Sequence, residues 1–251
     1  PNPRRFRNPG RKPMDRRRVL MGILYVLRSG IPWEMFPQEL GRGSGMSCWR
    51  YLHAWQKQGV WQKIHEVLLT RLRGADKIDF SRAVVDSSSV RAVLGGENGA
   101  ESHGSPEKGD KTHLITEAQG IPLAVLVTEA NRHDVTQLLA LVEAIPPIRG
   151  KRGRPLRKPA MVQGDCGYDS DPHRCELRRR SIIPLIRRRG TEHGSGLGKY
   201  RWVVERTLSW LHQFRRLRVR YEKRDDIHEA LLMLGCIMIC WSALVSWTSL
   251  C

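Results

Sequence analysis

Arg82 to Val90 reads Arg-Ala-Val-Val-Asp-Ser-Ser-Ser-Val, and this stretch decides how the rest of the chain is assembled. Ala83, Val84 and Val85 form a short β-branched run of the kind that makes a strand buried on both faces. The small hydroxyl residues that follow read as the start of a loop. Asp86 therefore stands at the carboxyl end of a buried strand, where an acid is well presented to a ligand. On this stretch alone, Asp86 as the cap of the turn after the strand is an equal reading.

Downstream, the run from Leu94 to Lys111 is rich in Gly, Ser, Glu and Asn and predicts a mobile loop with little to bury. Thr112 to Glu117 and Ile121 to Thr128 are two apolar runs separated by Ala118-Gln119-Gly120, a hairpin signature. Asp134 opens a helix through Leu138, Leu139, Leu141 and Val142, which Pro146-Pro147 ends. The loop from Ile148 to Pro159 contains Lys151-Arg152-Gly153-Arg154-Pro155. Arg152 and Arg154 can lie in the narrow groove of A·T-rich DNA, although a solvated basic loop is the commoner outcome for such a sequence. Ala160 to Gln163 is a further strand, and it runs into Gly164-Asp165-Cys166-Gly167-Tyr168-Asp169, so a second carboxylate sits at a strand end. A helix from Asp171 to Arg180 and a strand from Ile182 to Ile186 complete a βαβ unit with parallel strands.

A third acid, Glu205, lies in a helical stretch from Tyr200 to Leu211. Helical spacing puts Arg201, Glu205 and Leu208 or Ser209 along one side, with Trp202, Val204 and Leu211 available for packing. Arg201 and Glu205 also fit a plain i,i+4 ion pair on a solvated face.

Upstream, Pro1 to Pro13 is a basic, non-helical arm. Asp15 precedes an amphipathic helix with Val19, Leu20, Ile23, Leu24 and Leu27 at three and four residue steps, closed by Ser29-Gly30. Pro32 to Pro37 is a turn carrying two aromatics, and Gly41 to Gly45 is a loop. Ser47 caps a second helix through Trp49, Leu52 and Trp55, and Val60 to Leu72 supplies a third. Short helices with a basic surface point to a helix-turn-helix DNA-binding module, and a generic helical bundle has the same periodicity. The period changes after Gly74-Ala75-Asp76, which sets a boundary between a small all-α domain over residues 1–77 and a second domain over 78–251.

The charge names the partner class. The 43 Lys and Arg against 25 Asp and Glu give a formal +18, a field suited to a polyanion. The basic residues are spread along the chain rather than gathered beside an apolar anchor, so nucleic acid is favoured over a membrane surface. Ala230 to Leu250 is the most apolar stretch, but its Cys, Ser, Thr, Gly and Trp content in a polar chain reads as a buried helix rather than a membrane span. The cysteines at 48, 166, 175, 236, 240 and 251 form no CxxC pair and are read as reduced cytosolic thiols. Cys166, His173 and Cys175 lack an evident fourth ligand for zinc.

Two acids at strand ends and one on a late helix are what a two-metal phosphoryl-transfer site needs. Hard cations such as Mg²⁺ prefer carboxylate oxygens, and two ions can stabilise the attacking and the leaving oxygen of an in-line displacement at phosphorus.

The segments Val-Val-Asp86-Ser-Ser-Ser-Val-Arg, Lys111-Thr-His-Leu, Gly120-Ile-Pro-Leu-Ala, Asn131-Arg-His-Asp134, Gly164-Asp165-Cys-Gly-Tyr-Asp-Ser, Arg201-Trp-Val-Val-Glu205-Arg-Thr and Trp210-Leu-His-Gln-Phe-Arg-Arg-Leu resemble a bacterial insertion-sequence transposase of the Asp-Asp-Glu class, in the insertion-sequence-five group. The resemblance covers nearly the whole chain, and the order of its motifs is specific. It implies an α/β, RNase H-like mixed sheet flanked by helices, with Asp86 on the first strand, Asp165 on the fourth and Glu205 on a helix. It further implies cleavage at the element's ends and joining of the 3′-hydroxyl to target DNA, with two Mg²⁺ ions, or Mn²⁺ in their place, at these acids. Lys111, Arg152, Arg154, Arg201 and His212 are the expected DNA contacts, to terminal inverted repeats and target duplex. The setting implied is the bacterial cytoplasm and nucleoid, and chemistry on two ends raises the expectation of a homodimer.

The chain departs from the group's pattern. Gly164 and Cys166 stand where Ala and Lys are usual, and Gly198 and His212 stand at two places where a Tyr and a Lys or other polar residue are usual. A start at Pro1 without Met is read as a fragment or a translated partial element. Two alternatives remain open from the residues: a catalytically inactive DNA-binding descendant, and an RNase H-like nuclease without strand transfer.

Overall fold

A computed structural model of the chain describes residues 14–93, 109–190 and 198–248. The basic arm over Pro1 to Pro13 lies outside the described residues, as does most of the expected loop, residues 94–108.

Three helices lead: α1 (Arg16–Ser29), α2 (Gly45–Lys57) and α3 (Val60–Gly74). Asp15 caps α1 by accepting from the Arg17 amide, and Gly30 ends it in the left-handed region at φ 75°, which glycine reaches without a Cβ penalty. The cap of α2 is Ser44 rather than Ser47. Its hydroxyl accepts from the Ser47 amide at 3.2 Å, so Ser47 is the donor one turn in, and Gly45 belongs to the helix rather than to the preceding loop.

Five strands follow: β1 (Arg82–Arg91), β2 (Gly109–Glu117), β3 (Pro122–Glu129), β4 (Met161–Gly164) and β5 (Ile183–Ile186). Their order across the sheet is β3-β2-β1-β4-β5, with β1, β2 and β3 antiparallel and β4 and β5 parallel to β1. The short helix α4 (Leu138–Glu143), entered through a 3-10 turn at Asp134–Gln137, follows the hairpin, and α5 (Asp171–Arg179) is the crossover between β4 and β5. This is the mixed, helix-flanked sheet of an RNase H-like α/β fold.

The structure corrects the reading of β1. The strand does not end at Asp86 but continues to Arg91, with Ser87 to Arg91 paired against His113 to Gly109 of β2. Gly109, Asp110 and Lys111, expected in a loop, supply those partners, so the serine backbone groups are satisfied in a ladder rather than a turn. Pairing of β1 with β4, by contrast, stops at Val84 opposite Gln163. Asp86 thus emerges where the parallel neighbour ends, although its own strand does not.

The chain closes with α6 (Gly198–Gln213), a single turn α7 (Arg215–Arg218) and α8 (Asp225–Thr248). By length and composition α8 could cross a membrane, yet 61% of its most apolar window is buried. Ile227, Ala230, Leu231, Leu234, Cys236 and Cys240 join the same core as Ile23, Leu52, Leu69, Val84 and Leu114. The leading helices are fastened to it: α3 packs along α8, and Arg216 donates to Glu222 at 2.6 Å and to the Ile31 carbonyl at 3.0 Å. Glu222 also accepts from the Trp33 indole at 3.3 Å.

Candidate active site

Ligands of open α/β sheets bind beyond the carboxyl ends of parallel strands, and β1 and β4 each bring an acid to that end. Asp86 points to the face that α6 covers, as does Ser88 two residues on, whose hydroxyl lies 3.5 Å from His212 Nε2. Asp86 Oδ1 accepts from the Ser87 amide at 2.9 Å. Its side chain is only 15% exposed. Burial pushes its carboxyl above the usual range, the Ser87 amide and the Arg201 guanidinium oppose this, and the charges of Asp165 and Glu205 reinforce it. The charges of the other two acids therefore reach Asp86.

Asp165 follows β4 directly and caps the 3-10 turn Cys166–Tyr168, accepting from the Gly167 amide at 2.8 Å. The segment is fixed from behind. Asp169 accepts from Arg174 Nε at 2.9 Å and from the Arg189 amide at 2.9 Å, and buried Arg174 donates to the Ile186 carbonyl at 2.7 Å. The Arg189 amide and then Arg174 hold the Asp169 carboxyl below its usual range. Gly164 stands where no side chain fits easily: a Cβ there would meet Val85 Cγ2 at 2.9 Å and the Tyr168 ring at 3.1 Å.

Glu205 is carried by α6, whose buried stripe is Val203, Val204, Thr207, Leu208 and Leu211. Trp202, expected to pack inside, is 51% exposed instead and lies under the Arg206 guanidinium, 4.6 Å from its ring centre. Position 202 falls outside the three and four residue steps of the stripe, and the stacked cation covers one ring face. Thr207 donates to the Gly120 carbonyl at 2.8 Å and so fastens α6 to the β2–β3 turn. Glu205 itself is 54% exposed, and Arg201 Nη2 lies 3.1 Å from Glu205 Oε1 and 3.7 Å from Asp86 Oδ2. The i,i+4 pair is present, but it faces the sheet and takes in Asp86.

A fourth acid went unassigned in the sequence. Asp134 begins the turn that packs on the Cys166–Tyr168 turn, and a Cβ on Gly167 would lie 2.9 Å from Asp165 Oδ1 and 3.6 Å from Asp134 Oδ2. Lys111 Nζ is 3.2 Å and His113 Nδ1 3.5 Å from Asp134 Oδ1. Lys111, expected at DNA, is thus tied to this carboxylate and to the Arg132 carbonyl. Between these acids the fully buried Tyr168 hydroxyl has no well-formed hydrogen bond, with the Ser87 hydroxyl beside it. Burial first, then the charges of Asp134, Asp86 and Asp165, raise its pKa, keeping the phenol protonated. The signal for Asp134 was its place in Asn131-Arg-His-Asp134, where a helix-capping role explains an Asp equally well.

Arg152 and Arg154 are exposed in a loop closed by the Ile148–Leu156 bridge. This loop precedes β4, at the opposite end from Asp165, and its Lys151 pairs with Asp76. The structure does not bring it to the acids.

The donor chemistry suits a hard divalent cation: carboxylate oxygens, that of Asp86 raised in pKa chiefly by burial, with Asp86 and Glu205 already facing one positive group. Among the described residues no three Asp, Glu, His or Cys side chains are gathered closely enough to hold one ion, and the Arg201 guanidinium lies between two of the acids.

Two family descriptions match the chain. Residues 79–241 match the transposase DDE domain, and residues 1–65 match a putative transposase of the IS4/5 family. The chain is 63% identical over 136 residues to the putative transposase for insertion sequence element IS402 of Burkholderia cepacia, covering 54% of this chain and 64% of that protein. It is 30% identical over 132 residues to the transposase for insertion sequence element IS1106 of Neisseria meningitidis serogroup B, covering 48% of this chain and 42% of that one. The chain therefore spans less than two thirds of the length of either relative. Among solved structures, the Mos1 transposase paired-end complex with left transposon end aligns over 95% of this chain and 81% of its own, at 11% identity and a TM-score of 0.30. A simian T-cell lymphotropic virus intasome in complex with a PP2A regulatory subunit aligns over 62% of this chain and 48% of its own, at 13% identity and a TM-score of 0.40. Since the match over residues 79–241 takes in well over half of the 251 residues, the chain belongs to the transposase DDE domain family.

Proposed function

We propose that the chain is a DNA transposase that cleaves at the ends of an insertion sequence and joins the 3′-hydroxyl to target DNA, using Mg²⁺ or Mn²⁺ at Asp86, Asp165 and Glu205. The observation that carries this reading is the convergence of Asp86 and Glu205 on the Arg201 guanidinium, at 3.7 Å and 3.1 Å, with the charge of Asp165 also reaching Asp86. Divalent ions held there would supply the Lewis acidity for in-line displacement at phosphorus. The chain's own residues do the positioning. The Ser87 and Gly167 amides orient Asp86 and Asp165, Thr207 seats the helix that carries Glu205, and Arg201 offers a planar cation for a phosphate oxygen.

The net charge of +18 supports duplex DNA as the substrate class. Residues 1–77 are proposed as the DNA-binding part, where Arg16, Arg17 and Arg18 are exposed on α1, and 78–251 as the catalytic part. Exposed Arg152 and Arg154 suit duplex contacts away from the chemistry and His212 a contact near it, while Lys111 would have to leave Asp134 and the Arg132 carbonyl to reach DNA. Action on two ends favours a homodimer, and a DNA substrate places the protein in the cytoplasm at the nucleoid.

The test is a gel assay on an oligonucleotide carrying the element's terminal repeat, with Mg²⁺ or Mn²⁺. Nicking followed by a joined product is expected, and Asp86→Asn should lower cleavage by roughly 10³-fold or more while duplex affinity holds. Cleavage indifferent to Asp86→Asn would sink the assignment. Cleavage without joining would indicate a nuclease, and binding without cleavage a DNA-binding descendant.

A further inference from the structure

Arg201 Nη2 stands between carboxylates from two different elements, 3.1 Å from Glu205 Oε1 and 3.7 Å from Asp86 Oδ2. Asp86 Oδ1 is taken by the Ser87 amide, so Oδ2 is the oxygen that faces the guanidinium. The Nε of Arg201 is buried without a hydrogen-bond partner, and the side chain is 31% exposed. The guanidinium is therefore held at its tip and leads to solvent. A divalent ion shared by Asp86 and Glu205 needs the same lone pairs and the same space. Two cations a few ångström apart on one pair of carboxylates repel strongly in a partly buried site.

We infer that Arg201 and a divalent cation exchange with one another at Asp86 and Glu205, and that the displaced guanidinium takes a DNA phosphate. The inference rests on the reading of Asp86 and Glu205 as cation ligands. Arg201 is then a positioning residue that couples cation loading to DNA binding. A phosphate that draws the guanidinium outward leaves both carboxylates to the ion, and an ion that expels the guanidinium offers it to phosphate. Such coupling is reciprocal. It also accounts for an arginine one turn before the acid, because a planar fork matches carboxylate and phosphate alike.

Mn²⁺ affinity, read by electron paramagnetic resonance of the free ion, tests the exchange in the full chain. Arg201→Gln keeps much of the stem and removes the charge. It should bind Mn²⁺ roughly 3- to 10-fold more tightly than the unaltered protein, as two partly exposed ion pairs are lost. Arg201→Lys should fall between the two and serves as the readout if Arg201→Gln fails to fold by circular dichroism. A duplex without the terminal repeat should tighten Mn²⁺ binding in the unaltered protein more than in Arg201→Gln. Equal or weaker Mn²⁺ binding by Arg201→Gln, or a duplex effect of the same size in both, overturns the exchange. Asp86→Asn and Glu205→Gln separate the two levels: if neither weakens Mn²⁺ binding, the ligand reading itself fails. If both weaken it while Arg201→Gln does not tighten it, only the exchange fails.

Discussion

A single methyl group separates Gly164 from the alanine that the resemblance leads one to expect at that place. Here it has nowhere to go, since Val85 Cγ2 and the Tyr168 ring would lie 2.9 Å and 3.1 Å from it. Tyr168 is buried and bounded by the acid-bearing segments, so neither neighbour yields freely. Gly164→Ala should cost about 1–3 kcal/mol through overpacking, seen as a lower urea midpoint with an unchanged slope. An unchanged midpoint would mean that Tyr168 moves aside at no cost. Asp134 shows the limit of reading single residues. An Asp before a helix is explained by capping, and its proximity to Asp165 arises only when two turns far apart in sequence pack together.

At the scale of elements, Glu117 does for the sheet what capping residues do for helices. It is fully buried, and its carboxylate accepts from the amides of Gln119 and Ile121 at 2.9 Å each and of Asp79 at 3.1 Å. The β2–β3 turn and the approach to β1 hang on it. Glu117→Leu should cost roughly 3 kcal/mol or more, because three inward amides lose their acceptor, and amide exchange should quicken first at residues 119–121. Unaltered exchange there would show that the turn holds by itself. The hairpin, the βαβ unit and α6 were legible because alternation and helical periodicity survive burial. The length of β1 was not, since Ser87-Ser88-Ser89 has loop chemistry and its partner lies within a polar run. The pairing of Arg201 with Asp86 was equally hidden, because a local i,i+4 partner explained the arginine and the non-local one left no trace in spacing.

Over the whole molecule, two histidines far from the acids report on folding. His65, hydrogen-bonded to the Pro122 carbonyl, and His228, beside Arg220 with neither ring nitrogen paired, are held at pKa values of about 4, chiefly by burial. The unfolded chain takes up these protons near 6.5, so stability is full above that pH and declines as pH falls toward 4. Between pH 7 and 5 the loss should be on the order of 1–2 kcal/mol for each histidine. Buried Glu117, its pKa raised by burial, works in the opposite sense. Urea unfolding of His228→Leu isolates the histidine contribution, since this variant should lose less stability on acidification. A cation shared by the three acids is open to iron-directed backbone scission. With Fe²⁺ in place of Mg²⁺ and ascorbate and peroxide added, hydroxyl radicals cut the chain within a few ångström of a bound ion. Cuts are predicted near residues 86, 165 and 205 together, suppressed by excess Mg²⁺ and absent in Asp86→Asn. Cuts confined to other segments, or cuts at these three that survive Asp86→Asn, would contradict a shared cation site.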